Sequence, residues 1–488
     1  MAGRHRKFSA SVAALALLSA CGGGGGGNNP PPDNPTGVVP PPPVSAPPSS
    51  PALCSLRERQ NWTLAQLQEW YLFPELLATN VNPDSHATVQ SYIDALVAPA
   101  RAQNKDRIFT YIGSLADDLA FQNSGAGAGF GLRLSSDVAA GRVFVAEAFE
   151  GGPALGSNLD RGTEILAIGN SASELRTVGS ILAAEGASGV IAALGPATTG
   201  LARVLRVVDP DGTTRDVALT KAVYTLDPVS NRYGALILDD GGRKVGYINF
   251  RAFIGAPAEA DLRAAFAQFK AQGITEVIVD LRYNGGGLIN TAVLFANLLL
   301  GNRSSSDVVL SRVFRPSKSG STNSAFFARQ TQSISATKVA FIGTGATASS
   351  SEMLMNAVLP YLGGNAALIG SNTFGKPVGQ VFIDRASCDD RLRIVAFAVR
   401  DKNGQGDYFD GIASRFQRTC SAADDVTRAL GDPQEASIRT ALDFLAGRQC
   451  TPIGGSAATQ SFGEGAGKPQ LLSPAQPSAV QRELPGSF

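Results

Sequence analysis

The chain has 488 residues, 44% hydrophobic and 17% charged, enough apolar material for a sizeable core, which excludes a wholly disordered chain. Lys+Arg number 42 and Asp+Glu 41, so the net charge of +1 lacks the basic excess of a nucleic-acid-binding surface and no nucleic-acid partner is expected. Only two histidines are present, His5 and His86, which removes the usual general base and the usual metal ligand.

The first element is an address. Arg4, Arg6 and Lys7 precede a short apolar stretch, residues 8–18, too short to span a bilayer. It ends in Leu18-Ser19-Ala20-Cys21, which resembles a bacterial lipobox. That resemblance implies a lipoprotein signal peptide over residues 1–20 and a lipidated Cys21 as the new first residue. With Gly22 rather than Asp after Cys21, it also implies sorting to the outer membrane, facing the periplasm of the cell envelope. An ordinary secretory signal followed by an incidental cysteine is the alternative. Residues 21–53 are Gly- and Pro-rich and read as a tether that holds the folded part off a lipid-anchored membrane.

Residues 54–124 are expected to be helical, with apolar residues at helical spacing in Leu64-Leu67-Trp70-Tyr71 and Val89-Tyr92-Leu96. Residues 125–222 change to short strands around Val143-Phe144-Val145 and Glu164–Ile168, then a helix over 178–194, then two strands flanking the turn Asp209-Pro210-Asp211-Gly212. The order resembles a circularly permuted bacterial PDZ domain. Gly129-Phe130-Gly131-Leu132 is similar to its carboxylate-binding loop, where successive N–H groups cradle a peptide C-terminus. Thr163 in place of Asp, and Gly169-Asn170 in place of Asn-Gly, depart from that pattern.

Residues 223–450 alternate strand and helix signals, as layered α/β proteins do. The strand 274–281 runs into Arg282-Tyr283-Asn284-Gly285-Gly286-Gly287. A later strand, 339–342, leads to Thr347-Ala348-Ser349-Ser350-Ser351-Glu352, and another to Thr373-Phe374-Gly375-Lys376. Residues 451–488 are rich in small, polar and Pro residues and are expected to be a disordered tail.

With no zincin spacing and no Gly-x-Ser-x-Gly, a His-dependent triad or metal site has little to build with, while a serine can still be activated by a neutral lysine. A serine between a strand and a helix exposes its hydroxyl, and the helix N-terminus offers N–H groups to a developing oxyanion. Taken in order, the three blocks resemble the C-terminal processing (tail-specific) peptidases, a family of Ser–Lys serine proteases. The resemblance implies an α/β fold: a crotonase/ClpP-like ββα superhelical core, a PDZ-like β-rich domain and an N-terminal helical segment. It also implies Ser349 as nucleophile, Lys376 as general base and Gln380 as the residue that orients it. Gly285, Gly286 and the Ser350 N–H would form the oxyanion hole. Substrates would be proteins or peptides with free, nonpolar C-terminal tails, without metal or cofactor. Ser350 where the family has Ala leaves a rival hydroxyl beside Ser349, and Pro377 replaces a common Gly. A proteolytically inactive periplasmic peptide-binding scaffold and a crotonase-type acyl-thioester enzyme are the alternatives. Export argues against the second, because coenzyme A chemistry is cytoplasmic.

Four cysteines follow Cys21, and in an exported chain an even number suggests disulfides. Three pairings are open. Position along the chain favours Cys388 with Cys420, and Cys54 with Cys450.

Overall fold

The segments Arg243–Asn249, Glu276–Asp280, Lys338–Gly343 and Ala366–Gly370 are almost continuously apolar, as strands covered on both faces must be. In the computed structural model, which describes residues 54–454 and 470–488, they lie side by side and parallel. Cys21 and the rest of the leader and tether lie outside the described residues. Ala235–Asp240 adds an antiparallel edge and Thr419–Ser421 a parallel one, completing six strands. The helices Ala256–Ala271, Ile289–Leu299 and Ser350–Leu362 cover one face. They share a core with Phe250, Phe253, Phe266 and Phe295 at its centre. Helix Ala436–Leu445 covers the other face through Ile438, Ala441 and Leu442. Among the described residues no helix is long and apolar enough to cross a membrane.

The loops that follow the parallel strands Glu276–Asp280, Lys338–Gly343 and Ala366–Gly370 all leave from their carboxyl ends. In open α/β sheets that is where ligands bind. These loops carry the three sequence blocks singled out above.

A second, antiparallel sheet of five strands is built around the long strand Asp390–Arg400, which pairs with Tyr111–Ser114, Val308–Phe314 and Val378–Arg385. Its apolar face packs on the N-terminal helices Leu56–Trp70 and Val89–Leu96 through Leu67, Tyr71, Ile93, Val378 and Ile394. The N-terminal region is therefore not all helix: Tyr111–Ser114 joins this sheet as an edge strand.

Strand Ala126–Gly129 pairs with Ala222–Thr225, so the chain enters and leaves the intervening β-rich segment through one two-stranded ribbon. Between them lies a sheet in the order Leu132–Asp137, Arg142–Ala148, Glu164–Gly169, Ala202–Val208, Thr214–Thr220. The Asp209–Gly212 turn joins the last two, with Gly212 N donating to Asp209 O at 2.8 Å. Helix Val178–Leu194, kinked at Gly186, closes the core of this domain.

Two expectations are corrected. The disulfides are Cys54–Cys388 and Cys420–Cys450, not Cys388–Cys420 and Cys54–Cys450. Cys54 precedes a helix that lies on the Asp390–Arg400 strand, beside the turn that holds Cys388, and Arg59 pairs with Asp390 next to it. Cys420 sits in the edge strand Thr419–Ser421, against which the chain returns after helix Ala436–Leu445, with Ser421 N bonded to Thr451 O at 2.7 Å. The tail is also not structureless throughout. Residues 470–488 fold onto the rest of the chain and bury Leu472, Leu484 and Phe488. Such a segment has no periodicity of its own because its apolar partners belong to distant elements.

Candidate active site

Ser349 stands between the strand Lys338–Gly343 and the helix Ser350–Leu362, with φ 54° and ψ −117°. A non-glycine residue at positive φ is strained, and such strain persists only where the surroundings hold it. Here the holder is Glu352. Its fully buried carboxylate accepts from the backbone N of Ser349 at 3.0 Å, of Lys376 at 2.7 Å and of Gly375 at 2.7 Å, and from the Thr373 hydroxyl. One side chain thus ties the serine turn to the lysine turn. Burial raises the Glu352 carboxyl above its usual range, and the four donors pull the other way. Sequence reasoning quoted Glu352 only as a motif letter. The available signal was its place at the third position of a helix that opens on a serine, where a carboxylate reaches back to the turn before it.

The neighbouring hydroxyls are engaged elsewhere. Ser350 Oγ donates to Gly287 O at 2.7 Å, Ser351 Oγ to Asn284 O at 3.0 Å and Thr347 Oγ1 to Leu281 O at 2.7 Å. These three stitch the serine turn to the glycine loop. Ser349 instead lines a cavity of about 400 Å³, together with Lys376, Gln380, Phe109, Phe374 and Met353.

The glycine loop is anchored below by charge and above by contact. Arg282, buried, bonds to Asp280 at 3.0 Å and to both Glu435 oxygens at 2.9 and 3.0 Å. A side chain at Gly286, where φ is 112°, would place its Cβ 2.7 Å from Ser349 Cβ, so only glycine lets the loop lie against the serine. The loop corrects one oxyanion assignment. The Gly286 N–H donates to Asn284 Oδ1 at 2.8 Å, because the asparagine side chain folds back to close the turn. The Gly285 N–H donates to Glu483 O at 3.0 Å, an acceptor from outside the loop. Ser350 N opens a helix, where N–H groups have no intrahelical acceptor.

Lys376 leaves the turn after Ala366–Gly370, and Gln380 lies on the adjoining strand Val378–Arg385. Lys376 Nζ donates to Gln380 Oε1 at 2.9 Å, and Gln380 Nε2 donates to Phe109 O, so the N-terminal region helps fix the pair. The ammonium is pulled down to about 7, chiefly by burial and then by the positive charges of Arg393 and Arg482.

Residues 244–414 match the model of peptidase family S41. That match covers the segment that carries the glycine loop, the serine turn and the lysine turn. It is similar to a chloroplastic C-terminal processing peptidase of Tetradesmus obliquus, 29% identical over 274 residues that make up 54% of each chain. A carboxyl-terminal-processing protease of a Picosynechococcus species is 28% identical over 260 residues, 53% of this chain and 56% of that one. The chain thus spans about half the length of the curated relatives it matches. A solved S41 protease structure from Bacteroides fragilis superposes with a TM-score of 0.60 at 21% identity, over 79% of this chain and 97% of that one. The mixed α/β fold is therefore that of S41 proteases, a family of serine-type peptidases.

Proposed function

We propose that the protein is a serine endopeptidase of the cell envelope that takes exported proteins by their C-terminal tails. Ser349 is the nucleophile, Lys376 the general base and Gln380 the residue that positions the lysine. The observation that carries this reading is a lysine lowered to about 7, hydrogen-bonded to a neutral amide, in the cavity lined by the one serine of its run whose hydroxyl is not spent on the glycine loop. A lysine near neutrality is uncharged in a large fraction of molecules at working pH and can accept a proton.

The neutral Lys376 Nζ takes the Ser349 proton as Oγ adds to the scissile carbonyl carbon. The oxyanion is stabilised by the N–H groups of Ser350 and Gly285, the latter exchanging its present acceptor for the substrate. The resulting ammonium returns the proton to the leaving amine, which departs and leaves an acyl-enzyme. A water, deprotonated by the same lysine, then releases the acid. Gln380 holds Nζ in line without adding a negative charge that would keep it protonated.

The β-rich segment 125–222 acts as a PDZ-like domain, with the N–H groups of residues 129–132 receiving the tail. The reading of Cys21 as a lipid anchor rests on the leader sequence alone. The test is cleavage of a tagged-tail substrate by wild type and by Ser349→Ala. Binding without cleavage by the wild type would favour the inactive scaffold instead.

A further inference from the structure

Residues 470–488 lie along both of these candidate sites. Gln470–Leu471 pairs antiparallel with Ser135 and Ser136, and Leu472 N donates to Leu134 O at 2.9 Å. The end of the short helix Ala479–Glu483 and the turn after it then line the cavity that holds Ser349 and Lys376, through Gln481, Arg482, Glu483 and Pro485. Glu483 O takes the Gly285 N–H, its carboxylate faces Arg393 at 3.3 Å, and the Arg482 guanidinium lies 3.9 Å from the centre of the Tyr111 ring.

Beyond Glu483 the chain returns to the strand Leu132–Asp137. Arg133 Nε donates to Pro485 O and Leu134 N to Gly486 O, each at 2.9 Å. Phe488 N donates to Leu132 O at 2.9 Å, and Phe488 O accepts from Phe130 N at 2.9 Å and Leu132 N at 3.3 Å. The Phe488 ring is 6% exposed and belongs to the same core as Phe130, Leu132 and Leu194. A Cβ at Gly129 would sit 2.7 Å from the Phe488 carbonyl carbon, so the loop leaves room for this main chain and for nothing larger. After the turn at Pro485 and Gly486, Ser487 bridges to Arg133, and a main-chain oxygen in a nest of N–H groups with an apolar side chain in the core is how a groove of this kind holds a peptide.

We propose that residues 470–488 are the resident ligand of the Gly129–Leu132 loop and, through Arg482 to Pro485, a plug over the Ser349 cleft, displaced when a substrate tail ending in a large apolar residue takes the place of Phe488. The proposal rests on the peptidase reading above for what the plug blocks, but not for whether the groove is filled. Its occupant is a segment of this chain, so entry of a partner is an exchange. The apparent affinity for a partner is reduced by the fraction of molecules in which the groove is free. The polar seat at Gly285 and the apolar seat at residues 129–132 lie on one continuous segment, so vacating the second loosens the first.

The test has two arms. In a Ser349→Ala background, a fluorescent peptide with the sequence of residues 479–488 and a free carboxyl is titrated into the full chain, into a chain lacking residues 484–488, and into Phe488→Asp. The deletion and the substitution are each expected to bind at least about tenfold tighter than the full chain. Equal affinities across the three would overturn the proposal. In the Ser349 chain, both variants are expected to cleave a short amide-capped reporter faster than wild type, and a rate unchanged or lower in both would overturn the plug. If no form cleaves, the peptidase reading fails while the binding arm still decides the groove. Purified wild type that has lost residues 484–488, where Ser349→Ala keeps them, would make the segment a substrate and overturn its role as resident ligand.

Discussion

Lys376 and Lys221 are two lysines drawn out of water in different domains, and burial is the first cause lowering both. Lys221 falls to about 8, with the positive charge of Arg203 as the second cause. Lys376 falls further, to about 7, through burial first and then the positive charges of Arg393 and Arg482. Their hydrogen bonds separate them more sharply. Lys221 Nζ donates to Gly195 O at 2.7 Å and Pro196 O at 2.9 Å and closes the end of helix Val178–Leu194. Lys376 Nζ has one neutral amide as acceptor and otherwise faces the Ser349 cavity. A lowered lysine becomes a base only where its nitrogen is left a direction toward a hydroxyl; otherwise it is a strut. The two lysines differ in the acceptors their nitrogens meet.

The largest effect expected from that contrast is on turnover. Ser349→Ala and Lys376→Ala should each lower kcat by about 10⁴-fold or more, and the double variant should be little worse, because the pair acts as a unit. Steady-state cleavage of a tagged tail measures this. Additive losses in the double variant would separate the two residues.

Next comes Glu352→Gln. An amide there presents an N–H₂ to donors that now share a carboxylate, so one of the four bonds becomes a clash. We expect about a hundredfold loss of kcat and a thermal destabilisation of roughly 1–3 kcal/mol. Wild-type kinetics in this variant would show that the strained serine turn holds itself.

The pH profile sharpens the comparison directly. Lys376 must be neutral to act, so kcat/KM should rise with pH along a limb near pH 7, set by the lowered lysine. Gln380→Glu places a negative charge at the ammonium, favours the protonated form and should move the limb upward by about one pH unit. Lys221→Leu should leave the limb where it is. A limb that follows Lys221 would reverse the assignment.

The smallest effects are on stability. Lys221→Met leaves the Gly195 carbonyl unpaired, while Pro196 O keeps the Thr198 N–H, and should cost about 1–3 kcal/mol. Lys376→Met should do the opposite at low pH. Its folded pKa, about 7, lies below the ordinary value of about 10.4, so between these the unfolded chain binds more protons and wild-type stability rises with pH. Below pH 7 the buried ammonium carries its full penalty, so the methionine variant should melt higher there. Its advantage should shrink from pH 7 toward pH 10. Melting curves at pH 6 and pH 9 would read both variants.

Much of this architecture is legible in short stretches of sequence. Continuous apolar runs mark the strands Glu276–Asp280 and Lys338–Gly343, and Asp-Pro-Asp-Gly marks the hairpin turn at Asp209–Gly212. The blocks around Asn284, Ser349 and Lys376 can be picked out because each follows such a strand, and the strands' parallel order carries all three loops to one end of the sheet. What stayed hidden depends on contacts between distant residues. The partner of Cys54 is 334 residues away, and the acceptor of the Gly286 N–H is decided by how one asparagine side chain turns. The ordered segment 470–488 has too little apolar surface to fold alone.

The sequence by itself pointed to the class of chemistry proposed for the site. Two histidines in 488 residues, a run of serines before a helix and a lysine after a tight glycine leave few ways to activate a nucleophile, because the usual base is scarce. Only the tertiary structure decided which hydroxyls of the serine run bond to the glycine loop, which lysine bonds to a side-chain amide rather than to a pair of carbonyls, and where residues 484–488 lie. Each of those depends on acceptors and surfaces supplied by segments tens to hundreds of residues away, and the local backbone preferences that pattern a sequence carry no record of them.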